Sequence, residues 1–212
     1  MKGLLLKDIY MASKYCRAFL FIIIIFIGTS FVESDNTFFM VYTVLMVSLI
    51  PMTLLSYDER EKWDKSCIML PYSRAQIVSG KYLFGILATL SVVILDSAAL
   101  AVSMFGNGTF APERFLTTVS MLVIIGLIAP SFVMPFAFKF GTEKGRIAYY
   151  IVIIFVFAFG GIAGMQMSAG TRNHLLTRIF SNSGICGFAI GAMLVFGVSW
   201  WLSIRLYERR EI

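Results

Sequence analysis

Two places in this sequence hold side chains able to do chemistry. The first is Asp96, the only acidic residue deep within a long apolar run, ILATLSVVILDSAALAVSMF. A carboxylate at mid-bilayer costs roughly 2.5–3.5 kcal/mol on insertion scales, so Asp96 must face other helices or a wet cavity, ionised or protonated. Two readings stay open for it: contact with a substrate or proton on a translocation path, or a hydrogen bond between helices to a Ser, Thr or backbone group. The second place is the stretch Ser56–Leu83, SYDEREKWDKSCIMLPYSRAQIVSGKYL, with nine of the chain's thirty Lys, Arg, Asp and Glu residues and Trp63.

Other chemistries lack their residues. GxxxxGK[ST] is absent, so the chain has no phosphate-cradling loop of that kind. HExxH and GxSxG are absent too. The only histidine, His174, stands beside Arg172 and Asn173 and reads as a solvated loop residue. Cys16, Cys67 and Cys186 are far apart and read as small apolar side chains. No metal and no cofactor is expected in this chain, and it is not expected to be an enzyme.

The elements that must position Asp96 and the charged stretch follow from composition. The chain has 212 residues, 58% hydrophobic and 14% charged, with mean hydropathy +0.83. Soluble domains carry about 25% charged residues, so this is an all-α integral membrane protein. One transmembrane domain over 1–212 is expected. Six apolar segments are long enough to span: 17–32, 37–56, 82–105, 115–138, 147–167 and 184–204. Pro130 and Pro135 should kink the fourth near its end. Fifteen of the eighteen Lys and Arg residues fall on one side of this arrangement; Arg114, Arg172 and Arg178 fall on the other. The positive-inside rule then places both termini and the charged stretch in the cytoplasm. The net charge of +6 is thus a topology signal, and no nucleic-acid partner is needed to explain it.

The first span has a long basic leader and no small-x-small cleavage site before Glu33, so it is read as retained. In that leader, Leu5, Ile9, Ala12 and Cys16 recur at helical spacing, with Lys7 and Lys14 opposite. A basic amphipathic helix over 1–16, lying in the inner interface, is expected. Gly160–Gly164 and Gly187–Gly191 are GxxxG pairs that favour close helix packing, within the subunit rather than between copies. Thr171, Leu175, Leu176, Ile179 and Phe180 suggest one or two amphipathic turns at the outer surface.

The charged stretch reads as an ordered loop over 57–81. Asp58 and Lys62, and Glu61 and Lys65, are acid–base pairs four apart in the favourable helical direction. Leu70-Pro71 breaks that helix, and Ser73-Arg74-Ala75-Gln76 is a capping box from which a new helix should run into the third span. A short charged helix carrying Trp63 suits either docking into a partner's groove or an interfacial position with the ring at headgroup level.

Asp58-Glu59-Arg60 with Trp63, Leu70-Pro71-Tyr72-Ser73-Arg74, Ile77-Val78 and Lys81-Tyr82-Leu83, with the leader Leu4–Tyr10 (LLLKDIY), resemble the permease subunits of bacterial type-2 ABC exporters. The short-chain branch that exports amphipathic peptides such as phenol-soluble modulins is the most similar. The resemblance implies six spans in the cell membrane, a second permease copy forming a homodimer, and two copies of a separate cytoplasmic ATPase that bind ATP and magnesium. It implies a coupling helix at about Asp58–Ser66, with Asp58, Glu59, Arg60, Glu61, Lys62, Trp63, Asp64 and Lys65 as its residues. Pro71, Ser73, Arg74 and Gln76 would support the loop. Lys7, Asp8 and Tyr10 would belong to the interfacial helix, which can also touch the ATPase. The expected function is ATP-driven export of amphipathic peptides or lipophilic compounds. The alternatives are an ion-coupled carrier using Asp96 and a non-transporting peptide-binding or immunity scaffold.

Overall fold

The computed structural model describes residues 2–15, 17–32, 37–61, 63, 73–108, 111–168 and 182–208. Their regular structure is entirely helical: α1 (Lys2–Tyr15), α2 (Arg17–Val32), α3 (Thr37–Ser48), α4 (Ile50–Arg60), α5 (Arg74–Gly106), α6 (Pro112–Phe140), α7 (Thr142–Ser168) and α8 (Asn182–Glu208). Among the described residues four stretches are long and apolar enough to cross a membrane: Thr37–Arg60, Arg74–Gly106, Pro112–Phe140 and Gly187–Glu208. Cys16, Cys67, His174 and the outer stretch 171–180 lie outside the described residues.

The run expected as one span over 37–56 is two helices that meet at Leu49. Pro51 has no N–H, and its ring crowds the carbonyl four residues back, so the ladder breaks there. Leu49 N–H turns to Met46 O at 3.2 Å. The Leu45 carbonyl, four residues before Leu49, accepts from the Tyr149 hydroxyl at 3.0 Å instead. Beyond the break, α4 carries on past the expected span end to Arg60. Asp58, Glu59 and Arg60 therefore form the last turn of a buried helix.

Two apolar clusters hold the bundle. The first joins Ala12, Ile23, Met40, Val44, Leu54, Val93, Leu100 and Leu122, on α1, α2, α3, α4, α5 and α6. The second joins Met52, Val78, Tyr82, Met134, Phe138, Tyr149 and Tyr207, on α4, α5, α6, α7 and α8. Val78 and Tyr82 of α5 serve the second cluster, and Phe84, Val92, Val93, Leu100 and Met104 the first. Close approach at Gly126 brings α6 onto α5 and α3: an added Cβ would lie 2.5 Å from Thr89 Cγ2 and 3.1 Å from Val44 Cγ1.

In α1 the buried stripe is Leu4, Asp8 and Ala12, while Ile9 and Tyr10 are exposed and Lys7 is half-buried. Asp8 faces inward to pair with Lys81, so α1 packs on the bundle through this stripe and leaves Ile9 free to face the interface. One packing expectation needs correcting. In α8 an added Cβ at Gly187 or Gly191 would meet nothing within 4 Å. Both line a shallow apolar groove with Ile128 and Phe132 of α6, so this GxxxG pair makes no tight packing among the described residues.

Candidate functional site

The last turn of α4 is the point where the charged loop meets the bundle. Met52, Leu54 and Leu55 are buried and fix this helix in place. Asp58 is buried at its end, and its two oxygens go to different helices. Oδ1 pairs with Lys7 Nζ of α1 at 2.7 Å, and Oδ2 with Lys81 Nζ of α5 at 2.7 Å. Lys81 also pairs with Asp8 Oδ1 of α1 at 2.7 Å. Lys7 Nζ lies 3.9 Å from the centre of the half-buried Trp63 ring. The order Asp8–Lys81–Asp58–Lys7–Trp63 is a chain of alternating charge that ends on an aromatic face. Two ammonium and two carboxylate groups cancel, which meets the requirement that buried charges be paired.

Glu59, the next residue, points elsewhere. Its Oε2 accepts from the Thr142 N–H at 3.0 Å and the Thr142 hydroxyl at 2.7 Å. Thr142 opens α7, so a carboxylate satisfies a free N–H at a helix N-terminus and complements the dipole there. The sharp α6–α7 corner is made at Gly141, whose φ of +87° favours glycine. Gly145, one turn into α7, lies against Ala137: an added Cβ would sit 3.0 Å from the Ala137 Cβ. Tyr15 and Tyr57 stack with ring centres 4.5 Å apart, a further tie between α1 and α4. Arg60 and Glu61 are exposed.

Asp58 makes two long-range pairs, and the expected Asp58–Lys62 pairing falls on a residue outside those described. Lys62, Asp64, Lys65 and Pro71 lie outside the described residues. Ser73 does cap α5: its Oγ accepts from Gln76 N–H at 3.2 Å, and Gln76 Oε1 accepts from Ser73 N–H at 3.1 Å. Arg74 donates to the Glu208 carbonyl at 2.9 Å, which ties the start of α5 to the end of α8.

A second polar chain joins α5, α6 and α8. Pro135 leaves the Ser131 carbonyl without its usual donor four residues on. Ser199 Oγ donates to that carbonyl at 2.6 Å. The Tyr82 hydroxyl lies 2.8 Å from Ser199 Oγ and 2.7 Å from Ser203 Oγ. With the Ser199 proton committed to Ser131, the order runs Ser203 to Tyr82 to Ser199 to Ser131. Trp200 stacks on Tyr82 and donates to Ser79 at 3.1 Å.

Asp96 stands apart from both networks. It is fully buried, and neither carboxyl oxygen has a hydrogen-bond partner among the described residues. The bond to a Ser, Thr or backbone group, one of the two open readings, is not made among the described residues. Ser103, seven residues on, has an unpartnered hydroxyl as well. Among the described residues no three His, Cys, Asp or Glu side chains are grouped to hold a metal ion.

Sequence reading missed Lys81 as a partner of the leader and of the loop. The signal was present: Ile77, Lys81, Phe84 and Ala88 form one stripe of α5, and Leu4, Asp8 and Ala12 one stripe of α1. Each stripe holds a single charge, and the two charges are opposite.

A family model described as ABC-2 family transporter protein matches residues 3–208. No curated protein matches the chain.

Proposed function

The chain belongs to the ABC-2 transporter family, and on that premise we propose that it is one of two identical permeases in an ATP-driven exporter of amphipathic peptides or lipophilic compounds. Family membership makes it a multi-pass membrane component and implies association with an ABC ATPase subunit. The rest is our reading. Six helices span the cell membrane, with both termini cytoplasmic. Two ATPase subunits bind ATP and magnesium and take the loop that begins at Glu61 as their handle. The peptide branch of the family supplies the cargo class. The 20 Phe and 12 Met side chains suit apolar ligands of varied shape.

The observation that carries the reading is the fixation of the loop's first end. Asp58 and Glu59 are clamped, and Arg60 and Glu61 are left exposed directly beyond them. A handle must be firmly joined to what it moves and accessible to what moves it.

The test is co-purification of tagged permease with its native ATPase, comparing wild type with Arg60→Ala/Glu61→Ala. Stoichiometric ATPase with wild type, and its loss from the variant while membrane insertion persists, is the expected result. Full retention by the variant would sink the docking assignment. A panel of amphipathic peptides that leaves ATP turnover unchanged would remove the cargo assignment.

The unpartnered, buried Asp96 supports one other reading, an ion-coupled carrier. It predicts pH-dependent transport that survives ATP depletion and is lost in Asp96→Asn. Transport that stops on ATP depletion would exclude it.

A further inference from the structure

Phe132, Phe136 and Phe140 recur every four residues on α6, so they form a ridge along one face of the helix. All three are exposed. Phe136 and Phe140 stack with ring centres 6.2 Å apart. Phe140 ends a stretch long and apolar enough to cross a membrane, so its ring stands where the span meets the headgroup region. Phe132 lies eight residues deeper, about 12 Å along the helix axis. Half of a hydrocarbon core is about 15 Å thick, so the ridge runs nearly the depth of one leaflet. At its deep end Phe132 lines the shallow groove against Gly187, Gly191 and Ala192 of α8.

The surface end of the ridge is charged. Lys139 Nζ lies 4.9 Å from the centre of the Phe140 ring, and Lys144 Nζ of α7 lies 5.8 Å from it. Both lysines are exposed, and among the described residues neither makes an ion pair. Lysines are common at span ends, but these two come from different helices and converge on one ring. A ring face offers an exposed ammonium only weak attraction. An anion beside the ring serves both lysines, and basic sites of this kind next to spans bind phospholipid headgroups.

We propose that this face of α6 binds one anionic phospholipid, with its phosphate at Lys139 and Lys144 and one acyl chain along Phe140, Phe136 and Phe132 into the α6–α8 groove. The two unpaired ammonium groups select an anionic head. The length of the ridge matches a chain that stays in one leaflet. Gly187 and Gly191 leave the groove open, since an added Cβ at either would meet nothing within 4 Å. The site requires only that α6 span the membrane; it does not depend on an ATPase or on the cargo.

Native mass spectrometry of the whole permease in mild detergent tests this, with phosphatidylglycerol and phosphatidylcholine of the same chains as probes. Two lysines at one headgroup should make wild type prefer phosphatidylglycerol by roughly 30-fold. Lys139→Gln/Lys144→Gln should bind the two lipids alike, and Lys139→Arg/Lys144→Arg should keep the preference. Gly191→Leu fills the groove; it should weaken binding of both lipids and leave the preference in place. Lys14→Gln, which removes an exposed lysine of α1, should behave as wild type. No preference in wild type, or one that survives Lys139→Gln/Lys144→Gln, overturns the site. So does an equal loss in Lys14→Gln, because total charge would then attract the lipid. Unchanged binding of both lipids by Gly191→Leu overturns the placing of the chain in the groove. The permease is tested alone, so a failure here leaves the proposed function standing, and a permease that recruits no ATPase leaves the lipid site standing.

Discussion

At the scale of single residues, the sharpest contrast is between charges that have partners and one that has none. Lys81 is buried and holds two carboxylates. Replacing it by Met strands Asp8 and leaves Asp58 with Lys7 alone. Removing one partner of a buried pair costs ~3–5 kcal/mol, so Lys81→Met should unfold at a markedly lower temperature. Adding Asp8→Asn leaves one charge of each sign, Lys7 with Asp58, and should recover much of the loss. Thermal unfolding in detergent, run as a double-mutant cycle, reads the coupling; additive losses would mean that the two groups do not interact. Asp96 predicts the opposite. Its oxygens have no partner among the described residues, so Asp96→Leu removes a buried polar group without stranding another. An unpaired buried polar group costs ~1–3 kcal/mol, and the variant should be as stable as wild type or more so. A clear drop in unfolding temperature would mean that Asp96 does have a structural partner. The same variant tests whether its retention in an apolar helix serves function.

At the scale of elements, local signals were legible and distant ones were not. The capping box at Ser73 could be read because both partners lie within four residues and their bond depends only on helix geometry. The side of α1 that packs on the bundle could not be read from apolar spacing. In a membrane protein the apolar side of a helix can face lipid as readily as protein, so Ile9 and Tyr10 point outward while Asp8 points in. The long pairs of Asp58, across 51 residues to Lys7 and 23 to Lys81, leave no local trace. Prolines lie between these cases: Pro135 marks the Ser131 carbonyl as one that loses its donor, but only the fold shows that Ser199 replaces it. That substitution is testable. Pro135→Ala restores an N–H for the Ser131 carbonyl. Ser199→Ala should then cost less in the Pro135→Ala background than in wild type, by about 1 kcal/mol, the worth of one hydrogen bond. Equal costs in both backgrounds would mean that Ser199 does not stand in for the missing donor. Packing gives a second element-scale expectation. Gly126→Ala forces a Cβ against Thr89, and overpacking of this kind costs ~1–3 kcal/mol. Thr89→Ala removes the obstructing methyl and should restore the unfolding temperature.

At the scale of the whole molecule, the arrangement separates what holds the permease together from what it offers to a partner. The charges inside, Asp8, Lys81 and Asp58, are buried. Those at the loop's exposed start, Arg60 and Glu61, stand in solvent. Salt distinguishes the two, because the screening length is about 10 Å at 0.1 M and acts on exposed charges far more than on buried ones. Raising ionic strength should therefore weaken ATPase association, chiefly by slowing its on-rate, and leave the unfolding temperature of the isolated permease nearly unchanged. Surface-binding kinetics of the ATPase on detergent-solubilised permease, measured over a salt series beside thermal unfolding, reads both. If the unfolding temperature fell in step with association, Asp8, Lys81 and Asp58 would be open to solvent as the half-buried Lys7 is. If neither quantity changed, the docking face would be apolar, and Trp63, half-buried beneath Lys7, would be the next side chain to replace.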